Sequence, residues 1–186
     1  CCDLNKLKKI SRRYKIKIIE DAAQSIGAKF NDRYLGTIGE IGGFSFYGNK
    51  IITTGEGGVV TTNSKSIYLK LLRLRSHGIN KSNDKFINLK NAYTKGKLNR
   101  WYYEMREIGY HYRITDIQCA LGLSQLKKIN KFLKDRKEIA KIYDKSFKNL
   151  NCIKLVQSEM RNFSSNHLYI LKINFKFLKI IKEELF

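Results

Sequence analysis

One stretch limits what this chain can fold into more than any other: Phe44-Ser45-Phe46-Tyr47-Gly48-Asn49-Lys50-Ile51-Ile52-Thr53-Thr54-Gly55-Glu56-Gly57-Gly58. A short aromatic strand runs into a lysine, and a turn with three glycines among four residues follows at once. Glycine tolerates positive φ and lets the backbone approach another group closely. Such a turn beside a single lysine suits a buried anionic cofactor better than plain packing. Upstream, Ile18-Ile19-Glu20-Asp21-Ala22-Ala23-Gln24-Ser25 reads as a buried strand ending in a carboxylate. We take the lysine and the carboxylate as the two ends of one small-molecule site.

The elements around these stretches alternate between helix and strand. Asp3 caps a helix whose Leu4, Leu7, Ile10 and Tyr14 share one face. Lys15 to Glu20 then reads as a strand, because its isoleucines are β-branched and the run is short. That order belongs to an α/β domain, in which ligands gather at the carboxyl ends of the strands. Asn31-Asp32 predicts a small hairpin between Gly27–Phe30 and Arg33–Leu35, and strands follow at Gly43–Phe46 and Val59–Thr62. Asn63 or Ser64 caps the next helix, and Gly78 stops it. The polar, aperiodic stretch from Ile79 to Arg106 reads as a lid, a binding loop or a disordered segment. Thr115 with Gln118 signals a capping box. The helix after it is apolar on more than one side through Ile117, Leu121, Leu123 and Leu126, so it belongs in a core or a subunit interface. An amphipathic helix with Phe132, Ile139, Tyr143 and Phe147 comes next. From Asn151 the character changes to a polar loop, a strand near His167–Phe175 and a short terminal helix. We therefore expect domains at 1–150 and 151–186, the second incomplete.

Composition excludes several classes. With 186 residues and 42% hydrophobic content, the chain can bury a core and is not disordered as a whole. Lys or Arg interrupts every apolar run, so no membrane span is expected. Cys1, Cys2, Cys119 and Cys152 fit neither a zinc site nor a disulfide framework, and Cys119 reads as a core thiol. No metal site is expected, and the reading is a reducing cytoplasm. The chain opens Cys1-Cys2-Asp3, without a methionine or signal peptide, which points to a piece of a longer product. The formal charge of +21 admits a basic nucleic-acid-binding module. However, the lysines are spread along the whole chain without an arginine-rich arm, which favours solvated surface over a nucleic-acid footprint.

Three residues stand out chemically. Lys50 lies between the aromatic strand and the glycine turn, where a lysine sheds charge readily and can form a Schiff base. Asp21, at a strand end, suits a cationic partner such as the protonated ring nitrogen of pyridoxal phosphate. Its spacing equally fits a cap on the next helix. Ser45, five positions before Lys50, can bind a phosphate linked to that lysine through the cofactor. Gln24 is a weaker candidate, and His77 and His167 read as surface or interface histidines.

With these residues in place, IIEDAAQSIGAKF, GGFSFYGNKIITTGEGGVVTTN, LRSHG and GYHYRITDIQCALGLSQLKKI resemble the DegT/DnrJ/EryC1/StrS aminotransferases. The resemblance implies the aspartate-aminotransferase-like fold, fold type I of the pyridoxal-phosphate transferases: α/β, with a mixed sheet, flanking helices and a small carboxyl-terminal domain. It implies pyridoxal 5′-phosphate as cofactor, a nucleotide-linked keto sugar and glutamate as substrates, and a homodimer. Residue by residue, Lys50 falls at the Schiff-base lysine and Asp21 at the acid paired with the pyridine nitrogen. Gln24 falls beside the ring, and Ser45 at a phosphate-binding serine. GYHYR falls where the family has Gly-Tyr-Asn-Tyr-Arg, a segment that reaches the neighbouring subunit's site. His111 thus stands in place of the asparagine and can still donate one hydrogen bond to the cofactor phosphate. Arg113 matches an arginine that meets a substrate carboxylate or phosphate.

Within the family, WYYEMREIGYHYRITDIQCALGLSQLKKINKFLKDRKEIAKIYDKSF and SSNHLY are most similar to transaminases of the pseudaminic acid pathway. The FYGNK–ITTGEGG segment is more similar to GDP-perosamine synthases. Family members are about twice this length by the usual two-domain expectation. We therefore expect the amino-terminal cofactor loop and most of the small domain to lie outside this sequence. A truncated, non-catalytic remnant is the corresponding alternative.

Overall fold

The computed structural model describes residues 2–81, 86–156 and 163–177. In chain order the first elements are α1 (Leu4–Tyr14), β1 (Ile19–Asp21), β2 (Lys29–Phe30), β3 (Arg33–Tyr34), β4 (Ile41–Ser45) and β5 (Gly58–Thr61). Next come α2 (Lys65–Leu74), β6 (Ile79–Asn80), α3 (Leu89–Ala92), β7 (Tyr93–Thr94), β8 (Lys97–Leu98) and β9 (Glu104–Met105). The last are α4 (Asp116–Leu126), α5 (Ile129–Phe147), β10 (Ile153–Leu155) and β11 (Leu171–Ile173), then a 3-10 turn at Phe175–Phe177. The expected terminal helix, past that turn, lies outside the described residues. The chain divides into two compact units, Cys1–Thr61 with Asp116–Phe186, and Thr62–Thr115.

The first unit opens as its sequence predicts. Asp3 caps α1, its Oδ1 accepting the N–H groups of Asn5 and Lys6 at 3.1 Å each. The chain leaves α1 through Lys15 in the left-handed conformation and enters β1. β1 pairs in parallel with β4, Ile19 opposite Ile41 and Asp21 opposite Gly43. β4 pairs antiparallel with β5, so the three-stranded sheet is mixed and ordered β1-β4-β5. The parallel pair needs a crossover, which residues 22–40 supply. Its hairpin, β2 with β3, turns through Asn31 and Asp32, both at positive φ. One expectation changes: β1 is not buried. Among the described residues it ends the sheet, and the face that carries Ile19 is open, with Ile19 71% exposed.

The crossover lies tightly on the sheet. A Cβ at Gly42 would sit 2.1 Å from the Gly36 carbonyl oxygen, a backbone atom with no freedom to swing away. Gly42→Ala therefore destabilises the chain by about 2 kcal/mol, read as a lower urea midpoint with an unchanged slope.

At its described positions the second unit removes one of the three readings of 79–106, the disordered segment. Four of those positions, 82–85, lie outside the described residues; the rest is built from short paired elements. β6 pairs with β9, and β7 with β8 through a Lys95-Gly96 turn whose two residues have positive φ. Ser64 caps α2. Gly78 follows at φ 69 and donates its N–H to the Arg73 carbonyl, as a stop signal should.

Glu104 holds this unit together. Its carboxylate accepts the N–H groups of Ile87 at 2.9 Å and Asn88 at 2.8 Å, and the Tyr102 hydroxyl at 2.8 Å. Burial pushes the Glu104 carboxyl up; those three donors and the Arg106 charge outweigh it and hold it below its ordinary value. A carboxyl held low in the folded state adds stability that is complete above the ordinary glutamate range. That stability is lost as pH falls through the depressed value. Hydrogen exchange at Ile87 and Asn88, corrected for intrinsic rate, should therefore accelerate in acid, and Glu104→Gln should abolish that pH dependence.

Candidate active site

The carboxyl ends of β1 and β4 carry the first site residues. Asp21 ends β1 beside Gly43 of β4. Ser45, the last residue of β4, lies two positions, or about 7 Å, further along that strand. Asp21 Oδ1 accepts the Ala23 N–H at 3.1 Å. The Ser45 hydroxyl accepts the Tyr47 N–H at 3.3 Å, which leaves its own O–H to donate elsewhere. β4 then turns, the Lys50 N–H donating to the Tyr47 carbonyl at 3.0 Å. Lys50 is half-buried and precedes Ile51 and Ile52, both in the core. The register thus puts Asp21 and Ser45 at one end of one sheet, and Lys50 lies in the turn that leaves that end.

The glycine turn behaves differently from its expected role. Gly55 and Gly57 take positive φ, as predicted. The close approach, however, is to the chain's own backbone, since a Cβ at Gly58 would lie 2.6 Å from the Phe44 carbonyl oxygen. At Gly55 a Cβ would meet open space. Threonines close the turn: Thr53 Oγ1 donates to the Phe46 carbonyl at 3.1 Å, and buried Thr54 donates to the Glu56 carbonyl at 2.7 Å. Gln118 Nε2 of α4 donates to the same Glu56 carbonyl at 3.0 Å. The turn fixes the strand ahead of Lys50.

Two residues to which the sequence expectations gave no role in the site help to position it. Glu20 sits directly before Asp21, and its carboxylate accepts three backbone N–H groups, from Gly36 at 2.8 Å and from Ile38 and Gly39 at 2.6 Å each. It locks the crossover onto the end of β1. The signal was an acid inside an apolar run, which needs donors of its own. His167 is the second. Ser165 Oγ donates to the Gln24 carbonyl at 3.1 Å, and Arg136 Nη1 to the Asn166 and His167 carbonyls at 3.3 Å each. These bonds bring His167 within the field of Lys50. Burial, then the Lys50 and Arg136 charges, hold its imidazole below the ordinary value. Its Nδ1 is buried with no partner among the described residues.

Gln24 lies in the turn after β1, held by its backbone while its side chain is exposed. His111 and Arg113 belong to the second unit. There the Tyr110 N–H donates to the Leu74 carbonyl at 2.7 Å and the Tyr112 N–H to the Arg75 carbonyl at 2.9 Å. His111 bridges Ser76, and its ring meets that of His77 edge-on at 5.2 Å. Cys119 is half-buried on α4 and not in the core. Among the described residues, no helix is long and apolar enough to cross a membrane.

A pyridoxal phosphate molecule fits this donor set: an amine for its aldehyde, a carboxylate for its ring N–H and a spare hydroxyl for its phosphate. Comparison with known proteins points the same way. The UDP-4-amino-4,6-dideoxy-N-acetyl-β-L-altrosamine transaminase of Campylobacter jejuni serotype O:23/36 is 35% identical over 99% of this chain and 44% of its own length. The GDP-perosamine synthase of Escherichia coli O157:H7 is 36% identical over 87% of this chain and 38% of its own. The solved structure of PseC from Helicobacter pylori, an aminotransferase involved in the biosynthesis of pseudoaminic acid, superposes with a TM-score of 0.84 at 30% identity. That match covers 100% of this chain and 46% of PseC. The chain thus spans less than half the length of the relatives it matches. Its fold is that of the type I pyridoxal-phosphate-dependent transferases. A sequence profile matching residues 1–185 agrees with that fold: the chain belongs to the DegT/DnrJ/EryC1/StrS aminotransferase family.

Proposed function

We propose that the protein transfers an amino group from glutamate to a nucleotide-linked 4-keto-6-deoxy sugar, with pyridoxal 5′-phosphate as cofactor. The observation that supports this reading is that Asp21 and Ser45 end two neighbouring strands of one sheet, with Lys50 in the turn that follows Ser45. When bound, the cofactor supplies an aldehyde carbon that carries the amino group and a ring that takes up electrons from a broken C–H bond. Lys50 holds that carbon. Once displaced, its amine takes the proton from the α-carbon of glutamate and later delivers a proton to C4 of the sugar. Asp21 keeps the ring nitrogen protonated by accepting its N–H. Ser45 donates to the phosphate, and Gln24 packs against the ring. His111 and Arg113 serve the neighbouring subunit's site in a homodimer, on the phosphate and the substrate respectively.

The product we infer is UDP-4-amino-4,6-dideoxy-N-acetyl-β-L-altrosamine, made in the cytoplasm for pseudaminic acid. In support, the relative named for that reaction matches nearly the whole chain. A perosamine-type reaction is the second reading, favoured by the similarity of the FYGNK–ITTGEGG segment and by a relative 36% identical over 87% of the chain. In this proposal 1–150 belongs to the large cofactor domain, and 151–186 begins the small one. The exposed apolar side chains of α4, Ile117 at 85% and Leu123 at 62%, fit the interface of a dimer.

The test uses protein expressed from its intact gene, loaded with pyridoxal phosphate and reduced with borohydride. The peptide carrying Lys50 should hold the label; a label on any other lysine overturns the assignment. Turnover of UDP- against GDP-linked 4-keto sugar separates the two substrate readings.

A further inference from the structure

We propose that His167 is a positioning residue for the transamination: the bare Nδ1 of its neutral imidazole accepts an N–H of the Lys50 amine whenever that amine is free. Its placement begins with the backbone. Asn166, 7% exposed, takes the left-handed conformation at φ 50, which asparagine tolerates better than most residues. The Asn166 N–H donates to the Ser164 hydroxyl at 3.0 Å, and its side-chain amide to the Ser164 carbonyl at 3.3 Å. Together with the Arg136 bonds to the Asn166 and His167 carbonyls, this bend fixes where the His167 side chain leaves the backbone.

His167 lines a cavity of about 540 Å³ together with Ile51, the residue that follows Lys50. Asp135, Arg136 and Tyr143 of α5 face the same cavity, as does Tyr169. Two of its donors are already engaged, Arg136 on the carbonyls just named and the Tyr169 hydroxyl on Asp144 at 2.9 Å. Among the described residues His167 Nδ1 is the buried side-chain polar atom left without a partner, and such an atom is costly until something satisfies it. The Lys50 and Arg136 charges both act on this ring, and a nearby cation favours a bare nitrogen facing it over an N–H. Among the described residues the Lys50 amine makes no hydrogen bond or ion pair, and its flexible four-carbon stem lets it move. An amine that donates one N–H to Nδ1 is held in one orientation instead of several. It also becomes more basic, because the same acceptor favours the ammonium form. Both changes serve a base that takes a proton from the α-carbon of glutamate. That role rests on the transaminase reading; the hydrogen bond itself does not.

The experiment uses protein expressed from its intact gene and two variants. His167→Phe keeps a ring and removes the acceptor; His167→Asn sets an amide oxygen near the place of Nδ1. Cofactor-free protein is treated with acetic anhydride at about pH 7, and acetylation of Lys50 is followed by mass spectrometry relative to the exposed Lys131. An ordinary lysine is mostly ammonium at that pH, and a hydrogen bond to Nδ1 holds it so. Acetylation of Lys50 should therefore speed up about tenfold in His167→Phe and stay within about threefold of wild type in His167→Asn. In loaded protein, the single-turnover rate with glutamate should fall about tenfold in His167→Phe at an unchanged half-saturating glutamate concentration, and His167→Asn should restore most of it. A histidine that only supports the fold would move the urea midpoint and leave the acetylation rate alone. Should the phenylalanine variant not fold, His167→Leu makes the same comparison. Wild-type acetylation in the variant without an acceptor overturns the proposal, and so does an equal change in the asparagine variant. Borohydride labelling keeps the two ideas apart. No label at Lys50 of the wild type sinks the transaminase reading and leaves the acetylation result standing, whereas a label at Lys50 with unchanged acetylation sinks the role of His167 alone.

Discussion

Replacing Lys50 with alanine should lower turnover by at least about a thousandfold while leaving the fold and its urea midpoint nearly unchanged. Lys50 is half-buried and, among the described residues, donates only its backbone N–H, to the Tyr47 carbonyl, so little of the described fold depends on its amine. The proposed chemistry depends on it twice. The amine holds the cofactor and then moves the proton between two carbons, and a positioned general base alone is worth about 10²–10⁴ in rate. Lys50→Arg should fare no better, because guanidinium stays protonated and cannot take the proton. Single-turnover mixing with glutamate isolates the half-reaction. Retention of more than a tenth of the wild-type rate by Lys50→Ala would remove Lys50 from the chemistry. An added primary amine such as methylamine should restore part of the lost rate, which a merely structural lysine would not allow.

His167 bears on how that proton is handled. Burial and the nearby cations keep its imidazole neutral further into acid than usual. A neutral ring beside Lys50 adds no positive charge to the lysine's surroundings. Nothing in the sequence placed it there. Its approach to Lys50 depends on Ser165 and Arg136, both distant in sequence from Lys50.

Much of the first unit was legible because local signals agreed with one another. The Asp3 cap, the Asn31-Asp32 turn and the strand leading to Lys50 each rest on chemistry within a few residues. The family motifs then tied Asp21, Ser45 and Lys50 together, and the sheet register puts the first two at one end. The order within the 79–106 segment was hidden because it is not periodic. It depends on one carboxylate, Glu104, collecting N–H groups from Ile87 and Asn88 some sixteen positions away. Hydropathy has no signature for such a hub. The burial expected of β1 failed for a related reason. An apolar run shows that a strand is suited to cover, but what packs on its face decides whether it is covered, and that packing is non-local.

Glu20 shows how the same blind spot reaches the site, and its substitution should have the largest effect on the fold. Its two carboxylate oxygens accept from Gly36, Ile38 and Gly39, all on the crossover that returns to β4. Alanine there leaves three backbone donors without a partner in a part-buried setting. Each orphaned donor costs about 1–3 kcal/mol, and water recovers some of that, so Glu20→Ala should destabilise the first unit by about 4 kcal/mol. Glu20→Gln is the sharper variant. It keeps the shape, but its amide nitrogen faces at least one backbone N–H, donor against donor, so it should lose about half as much. Because Asp21 follows in the chain, release of the crossover also frees the end of β1. Cofactor retention during gel filtration should therefore fall in step with the urea midpoint across the wild type, Glu20→Gln and Glu20→Ala. A Glu20→Ala protein with an unchanged midpoint would mean that the crossover is held by other contacts, and that Glu20 has no part in positioning Asp21.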